Sequence, residues 1–214
     1  MVTEGGGTDS FTLVLDRQPL TNVVFDVVSA DLGEVTVSTA LVTFTPANWN
    51  VAQTVTVTGV DDAVQAGHQT TTVTVSVNTA NSDDAWDGLA ASTVSVPTTD
   101  DDTAGFTVIE SGGSTDVGES GTTDTFTVVL DAQPSSNVEI DVTSADTGEA
   151  TVSPVTLVFT AADWSTPQTV TVTGVDDFEL DGTTTTLLTL SVDDAASDDA
   201  YDPVPDQTVS VSNG

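Results

Sequence analysis

Shifted by about 115 residues, the chain overlays itself without a gap. Phe11-Thr12 falls on Phe126-Thr127, Gln18-Pro19 on Gln133-Pro134, Ser29-Ala30-Asp31 on Ser144-Ala145-Asp146 and Trp49 on Trp164. The run Gln53 to Asp62 recurs almost unchanged as Gln168 to Asp177, and Ser82-Asp83-Asp84-Ala85 returns as Ser197-Asp198-Asp199-Ala200. The fold must therefore be one that about 100–115 residues can complete, made twice. The polar run Thr98 to Gly105 separates the copies, so the expected domains are residues 1–102 and 103–214. Repeat 2 opens with Phe106 to Glu110, whereas repeat 1 starts at the position matching Val117 and is expected to lack that first strand. Repeat 2 stops before any counterpart of Asp100 to Asp102.

The hydrophobic period is 2. Val55 and Val57 alternate with Thr54, Thr56 and Thr58, and Val73, Val75 and Val77 with Thr72, Thr74 and Ser76. This pattern presents Val to a core and Thr to water along a half-buried strand. Val and Thr supply 76 of the 214 residues, too β-prone a composition for an acidic disordered tail. In repeat 2 the pattern predicts seven strands, A to G, at 106–110, 124–130, 138–144, 155–160, 168–174, 183–192 and 206–212, with no helix. The expected fold class is all-β: two tandem immunoglobulin-like antiparallel β-sandwiches of about seven strands each.

Charge narrows the function. There are 34 Asp plus Glu against one Lys or Arg, Arg17, for a formal charge of −33. Nucleic acid requires a basic face, and an anionic membrane would repel this one. With no Cys, disulfides and zinc–thiolate sites are excluded. No stretch reaches the roughly 20 apolar residues of a membrane span, and Met1 is not followed by a signal peptide.

If each strand crosses the sandwich once, the loops after A, C and E share one end with the tail after G. In repeat 2 that end would hold Glu119, Asp146, Asp176, Asp177, Glu179 and Asp181. In repeat 1 it would hold Glu4, Asp31, Asp61, Asp62, Asp100, Asp101 and Asp102. Two like charges ~4 Å apart repel by about 4 kcal/mol at an effective dielectric of ~20, and no Lys or second Arg is available to offset them. The expected counter-ion is Ca²⁺, which takes six to eight oxygens in irregular geometry. Asp177-x-Glu179-x-Asp181-Gly182 opens like an EF-hand loop, but Leu188 stands where the closing Glu would be.

Val117-Gly118-Glu119 before Phe126 to Leu130, then Ser144-Ala145-Asp146, Leu157 to Thr160, Gly174 to Asp177 and the closing Asp100 to Asp102 run resemble the Calx-β family. Its members are sandwich domains of sodium/calcium exchangers, an integrin and many bacterial surface proteins. The stretch Phe44 to Asp62 is similar to repeats of long bacterial adhesins. The resemblance implies calcium held by a Glu near the first strand, an Asp of the C–D loop, acids of the E–F loop and acids after the last strand. These map onto the thirteen residues just named. Repeat 1 departs from the pattern, with Val64 and Ala66 where repeat 2 has Glu179 and Asp181.

Other features receive plainer readings. Trp49 and Trp164 are expected to plug one end of each core, the rival being carbohydrate stacking. Asp83-Asp84 and Asp198-Asp199 suit either acidic turns or ion ligands. His68 has no counterpart, Thr183 holding its place, and is read as inert. The chain is read as a non-enzyme, because it has no Cys or Lys and a single His. The expected role is a monomeric calcium-binding structural repeat that extends and rigidifies a long extracellular or bacterial cell-surface protein, serving adhesion. Its partners would be neighbouring repeats of the same chain and a cell-surface or matrix ligand. Calcium, with Asp198, Asp199 and Asp202, is expected at the hinge between the repeats. The alternatives are a carbohydrate- or protein-binding adhesion module and a halophile stalk without specific calcium sites.

Overall fold

The computed structural model describes residues 1–176 and 182–214. The chain divides into two compact units, Met1–Asp62 with Ala66–Asp101, and Ala63–Gln65 with Asp102–Gly214. Both are all-β; among the described residues the only helical pieces are short 3₁₀ turns at Asp84–Trp86 and Ser111–Gly113. None is long and apolar enough to cross a membrane.

Unit 1 holds β1 (Val2–Thr3), β2 (Thr8–Leu13), β3 (Val23–Ser29), β4 (Val35–Val37), β5 (Leu41–Phe44), β6 (Gln53–Gly59), β7 (Gln69–Val77) and β8 (Ser92–Thr99). Unit 2 holds β9 (Phe106–Glu110), β10 (Thr115–Val117), β11 (Thr123–Leu130), β12 (Val138–Ser144), β13 (Ala150–Ser153), β14 (Thr156–Phe159), β15 (Gln168–Gly174), β16 (Thr184–Val192) and β17 (Gln207–Asn213). Unit 2 pairs them as β13-β15-β11-β9 and β10-β17-β16-β12-β14. Unit 1 repeats this as β2-β6-β4 and β1-β8-β7-β3-β5, without a counterpart of β9.

Among the described residues unit 2 thus has nine strands where the sequence pattern predicts seven. The two additions, β10 and β13, arise because the first and fourth strands each divide between the sheets: β9 pairs with β11 and β10 with β17, β13 with β15 and β14 with β12. A strand that changes sheet without reversing still crosses the sandwich once, so the alternation of loops between the two ends survives.

Alternation of Val and Thr does what period 2 dictates. In β6 Val55 and Val57 are buried while Thr54, Thr56 and Thr58 are not, and Val73 and Val75 repeat this in β7. Burying each such side chain contributes about 1.5–3 kcal/mol relative to leaving it exposed. Phe25 and Phe44 meet edge to face in the core of unit 1, ring centroids 6.1 Å apart. Trp49 and Trp164 pack, partly buried, against their respective cores, and their carbonyls accept from the N–H of Leu15 and Leu130.

Near the paired Gln-Pro loops, unit 2 buries Tyr201 completely, its hydroxyl donating to the Ala132 carbonyl. Burial, with the nearby carboxylates of Asp131 and Asp198, pushes this phenol up to about 12. An ionised Tyr201 favours the unfolded chain. Its stability contribution is complete below its ordinary value of 10.0 and is lost as pH rises through about 12. The matching residue of unit 1 is Trp86, which does not titrate. Unit 2 alone should therefore lose about 2 kcal/mol across that interval. Tyr201 is the only Tyr, so phenolate absorbance should rise together with unfolding of unit 2. A phenol that ionises near pH 10 in the folded protein would contradict this.

Candidate metal centre

The cluster begins with one strand pairing. β1 runs parallel to β8, with Val2 opposite Thr98 and Thr3 opposite Thr99. Parallel neighbours leave a sheet at the same edge, so Glu4, just after β1, and Asp100, just after β8, emerge side by side. The N–H of Glu4 donates to the Thr99 carbonyl at 3.1 Å. One carboxylate oxygen from each of Glu4, Asp100 and Asp102 lies within 4.8 Å of the others. Glu4 is 2% exposed.

Gly59, the last residue of β6, allows this approach. A Cβ there would lie 2.1 Å from the Thr3 carbonyl oxygen, so any side chain would push the Glu4 strand away from the loop that follows β6. Gly174 serves the same purpose against Gly118 in unit 2. The next loop closes over the cluster from the other side. Gly67 N–H donates to Asp100 Oδ2 at 2.6 Å, and Asp100 N–H donates to His68 Nδ1 at 3.3 Å. His68 thus has a positioning contact that its lack of a repeat counterpart gave no reason to expect.

Glu34 was not among the residues expected at this end. It stands just before β4, and Val60 N–H donates to its carbonyl at 3.0 Å. Its Oε2 is buried and accepts no hydrogen bond from the described residues. Burial first, then the charges of Asp31, Asp62 and Asp100, raises its carboxyl above the ordinary 4.5. The missed signal was present in the overlay: Asp31-Leu32-Gly33-Glu34 returns as Asp146-Thr147-Gly148-Glu149. In both copies the Asp caps a turn, Asp31 Oδ1 accepting from Gly33 N–H at 2.8 Å and Asp146 Oδ1 from Gly148 N–H at 2.9 Å.

Of the residues expected in repeat 1, the structure brings Glu4, Asp100 and Asp102 together, while Asp31 and Asp62 are exposed. Asp61 and Asp101 are exposed, Asp101 Oδ2 lying against Gly5. In unit 2, Glu119 is half-buried after β10, while Asp146 and Asp176 are exposed. Asp177, Glu179 and Asp181 lie outside the described residues. Among the described residues unit 2 has no group matching the Glu4 cluster. Glu149, the counterpart of Glu34, is instead held by neutral donors: Thr184 Oγ1, and Asn213 Nδ2 at 3.0 Å. Unit 1 has Gln69 and Thr98 at those positions.

At the other end of each sandwich, Asp198 and Asp83 hold their own loops together. Asp198 Oδ2 accepts from Ser135 N–H at 2.6 Å, Ser135 Oγ at 2.7 Å and Ser136 N–H at 2.9 Å, and Oδ1 accepts from Ala200 N–H at 3.0 Å. Burial opposes ionisation there, but these hydrogen bonds outweigh it and lower the carboxyl. Asp83 repeats the clamp in unit 1 on the N–H groups of Ala85, Thr21 and Leu20, which lower its carboxyl too.

The donor set of Glu4, Asp100 and Asp102, with Glu34 beside it, is all carboxylate oxygen and suits a hard divalent cation. The only guanidinium, Arg17, sits over the Trp86 ring at 5.3 Å, and the N-terminal amine pairs with Asp9. Replacing Glu34 with Gln is expected to stabilise chelator-treated unit 1 at neutral pH and to weaken calcium binding. In the metal-free protein, the contribution of Glu34 is complete below 4.5 and is lost as pH rises through its higher folded value. The variant should lose that pH dependence in thermal melts. Equal melts for variant and parent at neutral pH would show that Glu34 is not repelled.

The sequence matches no protein-family model, and no curated protein is significantly similar to it. Solved structures are similar at low identity. Domains 4 and 5 of the S-layer protein SbsC align at 19% identity and a TM-score of 0.41, over 88% of this chain and 70% of theirs. The longer rSbsC(31-844) aligns at 19% and 0.42, over 93% of this chain and 21% of its own. CBD12 from CALX1.2 aligns at 14% and 0.36, over 89% and 75%. Likenesses of this size decide nothing about function, for which the carboxylate geometry has to speak.

Proposed function

We propose that the chain is a calcium-binding structural module of Calx-β type, built to extend and stiffen a long extracellular or cell-surface protein. The observation that carries this reading is the gathering of Glu4, Asp100 and Asp102, one carboxylate oxygen of each within 4.8 Å of the others. The charges of Asp31, Asp62 and Asp100 oppose ionisation of Glu34. In the metal-free state this end of unit 1 is under repulsion. A bound cation converts the same charges into a bridge between the chain before β2 and the chain after β8. Glu4, Asp100 and Asp102 would supply its oxygens, with Asp31, Asp62 and Glu34 as neighbours able to join. A divalent cation there would hold the end of β1 to the end of β8.

Dissociation constants of roughly 10⁻⁶ to 10⁻³ M would match calcium outside cells. The adhesion role and a surface ligand remain part of the proposal, and the tryptophans' partial burial in both cores lends no support to sugar stacking. Single-molecule pulling tests the mechanical role. Calcium should raise the force at which unit 1 unfolds relative to chelator, and equal forces would contradict it.

A further inference from the structure

The sheet β13-β15-β11-β9 of unit 2 has four strands, and its counterpart β2-β6-β4 has three. The difference is β9, which lies antiparallel to β11 with Phe106 opposite Leu130 and Glu110 opposite Phe126. Phe106 is buried there, the Gln207 side-chain amide donates to its carbonyl, and Asp131 N–H donates to the Gly105 carbonyl at 2.9 Å.

In unit 1 the equivalent place is a groove. A cavity of about 560 Å³ is lined by Leu13, Leu15, Phe25, Phe44 and Trp86, among others, with Arg17 at its rim. A smaller one of about 50 Å³, lined by Phe11, Val57 and Val94 among others, continues it along β2. Side chains that unit 2 buries are uncovered here. Phe126 and Val128 are at most 1% exposed, whereas their counterparts Phe11 and Leu13 are only partly buried. Val209 is buried and its counterpart Val94 is not. An uncovered edge strand with apolar side chains beneath it is a template for another strand.

We infer that this groove binds an extended polypeptide segment from outside residues 1–214, of the Phe106–Glu110 pattern, added antiparallel to β2 with its Phe opposite Leu15. Unit 2 supplies the occupant's chemistry, because the same scaffold there holds Phe-Thr-Val-Ile-Glu in the same place. Charge adds to this. The lead-in to β9 is Asp100 to Asp102, and a segment with such a lead-in would carry its acids toward Arg17, the one Lys or Arg of the chain. Arg17 replaces Ala132, which directly follows the Asp131 that bonds Gly105.

The test uses the full chain and a synthetic peptide of residues 100–110. Titration followed by amide NMR should shift Thr8 to Arg17, Val94 and the Trp86 indole in a saturable manner. Ala at the peptide's Phe position should weaken binding about a hundredfold, and Pro at its Val position should abolish it. Because a short peptide forfeits entropy on ordering, a second arm fuses residues 100–116 ahead of Val2. This fusion should raise the unfolding midpoint of unit 1, and the same fusion with Ala in place of Phe should not. No shift at millimolar peptide together with no gain from fusion would overturn the inference. So would the chain pairing with itself through β2 without peptide, since the groove would then belong to a second copy.

Discussion

Replacing Asp198 with Ala is expected to destabilise unit 2 by about 3 kcal/mol or more, lowering its midpoint by roughly 15 °C. One carboxylate there accepts from both N–H groups of the Ser135-Ser136 turn, the Ser135 hydroxyl and Ala200 N–H. Truncation leaves these donors in a site that is 7% exposed. Asn should be intermediate, keeping one acceptor oxygen but presenting an amide to N–H groups. Hydrogen bonding lowers the native carboxyl below its ordinary 3.8. Its stability contribution is therefore present above 3.8 and is lost as pH falls through the lower folded value. The substituted chain should lose that acid-labile step, while its calcium response stays intact. Differential scanning calorimetry with and without calcium reads both quantities. A variant that melts like the parent would mean that the clamp is dispensable.

The second large effect is stabilisation of unit 1 by calcium. At about a hundredfold excess over its dissociation constant, a ligand confined to the native state adds about 2.7 kcal/mol, or roughly 10–15 °C for a domain of this size. Sodium chloride at matched ionic strength should give much less, since it screens the repulsion around Glu34 without bridging Glu4, Asp100 and Asp102. Unit 2 should respond less. Its Glu149 is already satisfied by Thr184 and Asn213, and its described acids form no comparable cluster. Equal rescue by sodium would support the halophile alternative.

The period-2 pattern carried the strands of the core, because Val on one face and Thr on the other leaves one register that buries Val. It did not reveal β10 or β13. Each is three or four residues long and joins a sheet that its neighbour in sequence does not, so neither displays an alternation of its own. The repeat overlay did show that unit 1 would lack β9. Among the acids, Glu4, Asp100 and Asp102 could be paired from sequence because strand parity alone sends their loops to one end. Glu34 escaped, since the burial of its Oε2 depends on tertiary packing that no local spacing discloses. The roles of Asp83 and Asp198 were equally hidden. They depend on N–H groups about sixty residues earlier in the chain, which no local motif discloses.

Calcium binding at this centre is read by calorimetric titration of the chain and of a variant with Asp100→Asn and Asp102→Asn. The parent should bind at least one ion saturably. The variant should lose that event. Binding unchanged by the two substitutions, or no saturable calcium binding by the parent, would contradict a metal centre formed by Glu4, Asp100 and Asp102.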